Sequence, residues 1–397
     1  MNSEQLKMSS FHLWIPNIFG FKGGIQVYSA ILLEALQNLS PQSKYDVMLL
    51  HDRPTTNIPL SPGKIRWHYC GSIPVKFRYL VYTAQLISWA LWQKPKLIIA
   101  THLNFTVVSY WLKKLMGTSY WTVAHGIEAW DINRPQLTRA LHHADKILAV
   151  SSYTRQRLIV EQNIAPEKIT VLPNTFDATR FKIALKPQYL LEKYGLQPRQ
   201  PVILTVARLA EAQRHKGYDQ ILQALPQIRQ AIPNVHYLIV GKGKDRPRIE
   251  SLIDKLQLQD CVTLAGFIPD EQLCDYYNLC DVYAMPSKKE GFGIVYLEAL
   301  ACGKPVLAGN QDGAVDALCQ GELGALVNPD NIDEISRTII SILQGEYANS
   351  IIYQPETLRQ KVIEKFGFEQ FQQQLANLIK TLNIDERPRR PKGYTSG

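Results

Sequence analysis

The feature that most restricts this chain is a series of short apolar runs that do not alternate. His12 to Ile15, Val47 to His51, Leu97 to Thr101, Tyr120 to Ala124 and Lys146 to Val150 form one set. Val202 to Val206, Tyr237 to Val240, Val262 to Ala265, Val282 to Met285 and Val306 to Ala308 form a second. A strand with one wet face alternates apolar and polar residues. A continuous run rich in Val and Ile suits a strand covered on both faces, as in a parallel sheet. Helical patterns separate the runs, as at Ser29 to Leu39, Tyr218 to Ala231 and Asp245 to Leu256. This alternation, carried through two sets, predicts an α/β chain of two doubly wound, Rossmann-like units. A chain of 397 residues also exceeds one ordinary core. Pro187, Pro198 and Pro201 cluster where no strong period runs, so the boundary is expected within 181–200. The expected units are 1–183 and 184–366, then a last helix within 367–384, strongest over Phe368 to Leu382. A basic, disordered tail is expected at 385–397, with Arg387, Arg389, Arg390 and Lys392.

Charged residues make up 20% of the chain, which excludes a disordered, highly charged class. None of the six cysteines forms a C-x-x-C pair, so a zinc knuckle or thioredoxin-like site is not expected. Free thiols fit a reducing, cytoplasmic compartment. Glu4, Lys7, Pro16 and Asn17 interrupt the start, so no signal peptide is expected. The uncharged run Tyr79 to Gln93 is shorter than the roughly 20 residues needed to span a bilayer. Charge is lopsided: residues 1–185 hold 20 Lys+Arg against 10 Asp+Glu, and the rest hold 24 against 25. That asymmetry points to an anionic partner for the first half. Lys76, Arg78, Lys94 and Lys96 bracket Tyr79, Tyr82, Trp89 and Trp92, as an interfacial helix does, which favours a membrane surface over nucleic acid. The plainer reading is an amphipathic core helix with a solvated basic rim.

Ligands of open α/β sheets bind beyond the carboxyl ends of the strands. Gly20-Phe21-Lys22-Gly23-Gly24 follows the first strand and precedes a helix. Such glycines let a backbone approach a ligand, and a helix N-terminus favours anions. His125-Gly126 follows Tyr120 to Ala124, although a single His is more often structural. Arg208 follows Val206, and Lys216-Gly217 opens the next helix. An Arg fork and a Lys charge together suit a diphosphate, unless both are simply solvated cations. Gly241-Lys242-Gly243 lacks the third glycine of a dinucleotide fingerprint, because position 246 is Arg.

The strongest stretch runs from Pro286 to Pro305. Glu290 lies in a glycine-bearing loop after a strand, where it can hold sugar hydroxyls. A helix is expected from about Gly293 to Gly303, and its free N–H groups suit phosphates. Glu298 sits about six residues into that helix among Leu297, Ala299 and Leu300, so its carboxylate calls for a partner. The bland alternative is a capping Glu290 and a rim-exposed Glu298.

Seven residues separate Glu290 from Glu298, and this stretch resembles the E-x7-E element of the family 4 retaining glycosyltransferases, which have the GT-B fold. The resemblance extends over Gly23-Gly24, His125-Gly126, Val150-Ser151-Ser152, Leu172-Pro173-Asn174, Arg208, Lys216-Gly217, Val240-Gly241-Lys242-Gly243, Gly266-Phe267-Ile268-Pro269 and Ala308 to Gly313. Glu290 to Ala308 looks most like bacterial phosphatidylinositol mannosyltransferases and polysaccharide-assembly transferases. The resemblance implies a UDP- or GDP-sugar donor and a hexosyl group, with mannosyl the option its subgroup suggests, passed to a lipid-linked or polysaccharide acceptor. It implies that Arg208 and Lys216 neutralise the diphosphate and Glu298 binds the ribose. Glu290 and the backbone of Phe292, Gly293, Ile294 and Val295 would hold sugar and phosphates. Gly266, Phe267 and Ile268 would line the base pocket. Gly23, Gly24 and His125 would face the reacting sugar from the first domain, and the last helix would cross back to it. One departure is the spacing of Arg208 and Lys216, eight positions where the family has about five, which lets Arg214 compete with Lys216.

A leaving diphosphate needs its growing charge stabilised. The chain contains no Asp-x-Asp, the usual metal holder, so fixed cations and a helix N-terminus are expected to serve without a metal or other cofactor. Neither Glu is an obvious nucleophile for double displacement. The family implies same-face attack with retention, His125 touching the sugar without acting as an essential base. The rival readings are a nucleotide-sugar epimerase or other GT-B enzyme, and a non-catalytic nucleotide-sugar-binding subunit.

Overall fold

The computed structural model describes residues 10–20, 23–55 and 64–384. Phe21, Lys22 and the basic tail expected at 385–397 lie outside the described residues.

Thirteen described strands form two parallel sheets. The first holds β1 (Ser10–Ile15), β2 (Lys44–Leu49), β3 (Ile65–Tyr69), β4 (Leu97–Ala100), β5 (Ser119–Ala124), β6 (Lys146–Ala149) and β7 (Ile169–Val171). Its order is β3-β2-β1-β4-β5-β6-β7. The second holds β8 (Val202–Val206), β9 (His236–Val240), β10 (Val262–Gly266), β11 (Val282–Met285), β12 (Val306–Gly309) and β13 (Ala325–Val327). Its order is β10-β9-β8-β11-β12-β13. Each order reverses once, between β1 and β4 and between β8 and β11. Those reversals are the switch points at which doubly wound sheets bind ligands.

The interior strands are apolar throughout because both their faces are covered. Leu97–Ala100, Val282–Met285 and Val306–Gly309 are buried at every position. The sequence reading did not anticipate β3, β7 or β13. β3 is a half-buried edge strand carrying Arg66, and the other two have three residues each. The segment 181–200 is not without structure, since Gln188–Tyr194 is a helix with Leu190 and Leu191 buried. The helix expected to begin at Ser29 runs Gly24–Leu39.

The last helix, Phe368–Ile384, returns to the first sheet. Phe371, Leu375 and Ile379 are buried at helical spacing. Phe371 meets Tyr28 of the Gly24–Leu39 helix edge-on, with ring centroids 5.6 Å apart. Arg359, on the preceding helix, donates to the carbonyls of Ala178 and Ala301 at 2.7 Å each and to that of Phe181. A single guanidinium thereby fastens the connection between the sheets to the second one. Among the described residues, no helix is long and apolar enough to cross a membrane.

The helix Val75–Gln93 corrects part of the interfacial expectation. Tyr82 is buried and donates to the Met48 carbonyl at 2.9 Å. Trp89 lies against His68, centroids 4.4 Å apart. Tyr82 is interior and Trp89 half-buried, because both fall on the face turned to β2 and β3. Val75, Phe77, Tyr79, Leu80, Leu91 and Trp92 are the exposed apolar residues of this helix, together with Ile87.

Candidate active site

The site forms where the second sheet reverses. β8 delivers Arg208, which is exposed just beyond the strand. The extra residues before Lys216 are not slack. Glu211–Lys216 winds into a 3-10 turn, and the His215 carbonyl accepts from the Lys288 N–H at 2.9 Å. Gly217, at φ +85°, then presses against Pro286 so closely that its hypothetical Cβ would lie 2.8 Å from the Pro286 carbonyl carbon. Only glycine suits both that conformation and that contact. Lys216 is thereby carried to the end of β11.

There Lys216 forms an ion pair with Glu290, with side chains 18% and 15% exposed. The two residues meet although far apart in sequence. Arg214, the other candidate for the phosphate, is committed elsewhere. Its guanidinium donates to Asp245 at 2.7 Å and 3.1 Å. Arg248 and Tyr218 also donate to Asp245, and these donors hold its carboxyl well below the usual range. The geometry therefore favours Lys216.

The Glu290 loop is held from beneath by Asp312, a residue whose role the sequence did not reveal. One Asp312 oxygen accepts from the Ser287 hydroxyl at 2.6 Å and the Glu290 N–H at 2.7 Å. The other accepts from the Ala314 N–H at 2.9 Å. The Gly313 N–H donates to the Glu290 carbonyl at 2.8 Å. Burial still pushes the Asp312 carboxyl up to about 7. Phe292 turns inward and meets Phe366, centroids 5.4 Å apart, so its side chain anchors the loop and only its backbone is left for a ligand.

Gly293, at φ +91°, precedes the helix Ile294–Ala301. Glu298 is the fifth residue of this helix, one nearer its start than the sequence suggested. It stands about 7 Å along the axis from Gly293, at 1.5 Å per residue. Its expected partner is Tyr277, whose hydroxyl donates to it at 2.7 Å. Burial raises the Glu298 carboxyl to about 7 against the pull of that bond. Tyr277 belongs to the neighbouring helix Leu273–Leu279, and no local pattern links it to Glu298.

At the end of β10, Gly266 adopts φ +77°, and the next residue, Phe267, is 62% exposed. The Lys242 ammonium lies 4.5 Å from the Phe267 ring centre. An exposed ring beside a cation is a platform on which a flat aromatic ligand can stack. Ile268 is buried in the core, so its side chain does not line this platform.

The first sheet closes the cleft. The His125 ring Nε2 lies 2.8 Å from the Thr101 carbonyl, which can only accept, so this nitrogen carries the proton. The ring stands edge-on to Tyr28 at 5.2 Å, and burial lowers its pKa to about 4. His125 is therefore neutral at pH 7, with Nδ1 left as an acceptor. Gly126, at φ +136°, faces Gly291: a Cβ on Gly126 would be 2.6 Å from the Gly291 Cα. Gly24 faces Ile294, 3.9 Å from its hypothetical Cβ to Ile294 Cδ1. Gly23 caps the Gly24–Leu39 helix. The structure thus gathers His125, Lys216, Glu290 and the Gly293 helix start around one cleft. Glu298 and Phe267 lie farther along the second domain.

Comparison with known proteins covers both halves of the chain. Residues 22–180 match the Glycosyltransferase Family 4 domain, and residues 189–364 match the domain of Glycosyl transferases group 1. A GDP-mannose-dependent alpha-(1-6)-phosphatidylinositol monomannoside mannosyltransferase of Mycolicibacterium smegmatis is 34% identical over 234 residues, 55% of this chain and 59% of the relative. A D-inositol 3-phosphate glycosyltransferase of Segniliparus rotundus is 32% identical over 189 residues, 47% of this chain and 41% of the relative. The matches thus span about half the length of these relatives. In structure, sucrose-phosphate synthase of Thermosynechococcus elongatus superposes with a TM-score of 0.77 at 22% identity, covering 95% of this chain and 99% of that one. Anabaena HepE, solved in complex with UDP-glucose, gives 0.75 at 20% identity, covering 94% and 100%. These two likenesses concern the fold. The two matched domains between them take in both sheets, and the chain belongs to the family 4 glycosyltransferases, built on the GT-B fold.

Proposed function

We propose that the protein transfers a hexosyl group, with retention, from a UDP- or GDP-sugar to a lipid-linked or saccharide acceptor. The observation that carries this reading is the meeting of Lys216, Glu290 and a free helix start at one switch point, with the neutral His125 opposite. Arg208, Lys216 and the N–H groups at Gly293 to Val295 receive the diphosphate. Their charge is fixed before the reaction begins, so it acts most strongly as the leaving oxygen becomes negative. No metal is required on this reading, and full activity in excess chelator is the expected result. Glu298 takes the ribose hydroxyls, Phe267 stacks on the base, and Glu290 takes hydroxyls of the sugar. His125 Nδ1 accepts from a sugar hydroxyl. The acceptor attacks from the face the phosphate leaves, and the departing phosphate oxygen takes the acceptor proton.

The mannosyl option is supported by the M. smegmatis relative, whose described donor is GDP-mannose. A membrane-side acceptor is supported by the exposed apolar residues of Val75–Gln93. Leu80 is 72% exposed and Trp92 is 69% exposed, close to Lys76, Lys94 and Lys96. Such a surface binds anionic bilayers through apolar burial and charge together. Cytoplasmic location, peripheral on the inner face, follows from the same reading.

The decisive experiment measures acceptor-dependent nucleotide release from UDP- and GDP-sugars. Arg208→Ala is expected to lose about 3 kcal/mol in kcat/KM, as for a deleted transition-state donor. Undiminished turnover in that variant refutes the phosphate role. A near-neutral pKa in the rate profile that vanishes in His125→Ala refutes the neutral assignment of that ring.

A further inference from the structure

Cys274 and Cys302 place their sulfur atoms 3.8 Å apart. Cys274 belongs to the helix Leu273–Leu279 and is partly exposed, whereas Cys302 ends the helix Ile294–Ala301 and is buried. Three of the other four cysteines bond to oxygen acceptors. Cys280 donates to the Tyr277 carbonyl at 3.2 Å and Cys261 to the Leu258 carbonyl at 3.5 Å. Cys70 donates to the Gln85 side chain at 2.9 Å. Cys274 also donates to the Lys182 carbonyl at 3.7 Å, and the Asn278 amide nitrogen lies 3.5 Å from its sulfur.

We propose that Cys274 and Cys302 are a peroxide-oxidisable pair whose disulfide disturbs the donor site through Tyr277 and Glu298. Cys274 is the attacking sulfur because it is the reachable one. Its thiolate displaces hydroxide from hydrogen peroxide, forming a sulfenic acid, and the hydroxide leaves as water after taking a proton. The Cys302 sulfur then attacks the sulfenic sulfur, its own proton leaves with the departing oxygen, and a second water forms. Two thiols lose two electrons and two protons, and one peroxide becomes two waters. The Cys302 S–H directed at Cys274 lowers the Cys274 pKa to about 6, which raises its thiolate fraction near neutrality.

The coupling follows from position. Tyr277 is three residues beyond Cys274 on one helix, and Glu298 is four residues before Cys302 on the other. Each is one turn from its cysteine, and the two are joined at 2.7 Å. A disulfide requires the sulfurs to close from 3.8 Å to about 2.05 Å. Side-chain rotation absorbs part of this, and the helices must supply the rest. A hydrogen bond of normal length has little room to follow such a shift. The disulfide itself does not depend on the glycosyltransferase reading, whereas its effect on the donor does.

The test uses the full chain treated with hydrogen peroxide, blocked with iodoacetamide, digested and weighed. A Cys274–Cys302 linked peptide, two hydrogens lighter than its parts and released by dithiothreitol, is expected. It is absent from Cys274→Ser and persists in Cys280→Ala. Titration of the oxidised and reduced protein with UDP and GDP is expected to show about tenfold weaker binding after oxidation, equivalent to one hydrogen bond. Peroxide treatment that leaves both thiols free, or joins Cys302 to Cys280, overturns the site. A linked peptide with unchanged nucleotide affinity overturns the coupling. Reduced protein that binds neither nucleotide refutes the donor reading and leaves the disulfide standing.

Discussion

Gly291→Ala isolates the contact between the two halves of the site. Gly291 does not occupy the left-handed backbone region, so alanine is conformationally acceptable there. Its cost comes from space alone. The new methyl would fall on the His125 carbonyl oxygen, 2.8 Å from the carbonyl carbon and 3.1 Å from the Gly126 Cα. These neighbours are backbone, so no side chain can swing away. Restoring ordinary contact distances of about 3.4 Å or more demands a retreat on the order of 1 Å between the Glu290 loop and the His125 strand end. Misplacing a reacting centre by about 1 Å costs roughly 100-fold, or about 2.7 kcal/mol at the transition state. The expected result is a kcat/KM at least 100-fold below wild type. Melting temperature should change less than turnover, because each sheet also packs one face in a buried cluster of its own that this contact does not reach. Nucleotide affinity should fall much less than turnover, since Lys216 and Glu298 both belong to the second domain. Initial rates with saturating acceptor, beside calorimetric nucleotide titration, measure the two quantities separately. Wild-type turnover in this variant refutes the claim that the His125 and Glu290 segments must touch.

Other perturbations probe different parts of the same site. Gly24→Ala fits the unliganded protein, its Cβ meeting nothing nearer than Ile294 at 3.9 Å; stability should hold while donor KM rises, and an unchanged KM means the donor never approaches Gly24. Glu298 titrates at about 7, so nucleotide binding that selects its carboxylate should release protons near pH 6.5. Binding enthalpies measured in two buffers of different ionisation heat should then differ, and identical enthalpies refute the ribose role as stated. His12 is buried beside Asp46 and Gln93, and burial lowers its pKa to about 4. Between about 6.5 and 4 the unfolded chain therefore binds more protons than the folded one. Stability from this group is complete above pH 6.5 and falls as pH drops, by up to about 1.4 kcal/mol per unit. Denaturant melts of wild type and His12→Gln should converge with acidification, and parallel curves exclude His12 as the source.

What the sequence made legible follows from the range of each interaction. Most of the ten strands were readable because burial on both faces writes itself into consecutive residues, while the half-buried edge strand Val262–Gly266 showed through its apolar composition alone. Ile65–Tyr69 was hidden by Arg66 and His68, which look outward in sequence yet bind Asp46 at 2.8 Å each. Lys216, Glu290 and Glu298 were readable because each lies beside a glycine turn or helix start that has its own local signal. Tyr277 and Asp312 were not, because their importance comes from partners brought close only by folding. The carboxylate of Glu298 announced a missing partner but could not say which residue supplied it. The apolar basic helix misled in part for the same reason. Tyr82 and Trp89 have the composition of an interface, and only their facing direction turns them toward the sheet.

The pairing of Lys216 with Glu290 joins these threads. Sequence assigned them separate duties, one for phosphate and one for sugar, and the structure joins them directly. On the proposed reading the two findings are compatible. A lysine at the phosphate position without a donor is a cation in a cleft already supplied with helix N–H groups and Arg208. Pairing it with Glu290 neutralises that excess and fixes both side chains near their working positions. With side chains only 18% and 15% exposed, neither charge can be left without a partner when the pair opens. A diphosphate offers Lys216 a stronger partner, and its arrival frees Glu290 to accept sugar hydroxyls at the moment the sugar enters. A bare nucleoside monophosphate offers less charge and no sugar, so it satisfies neither side chain once the pair opens. Discrimination for an intact nucleotide sugar is then built into the resting contact, and Lys216→Met should narrow the affinity difference between a nucleotide sugar and the monophosphate.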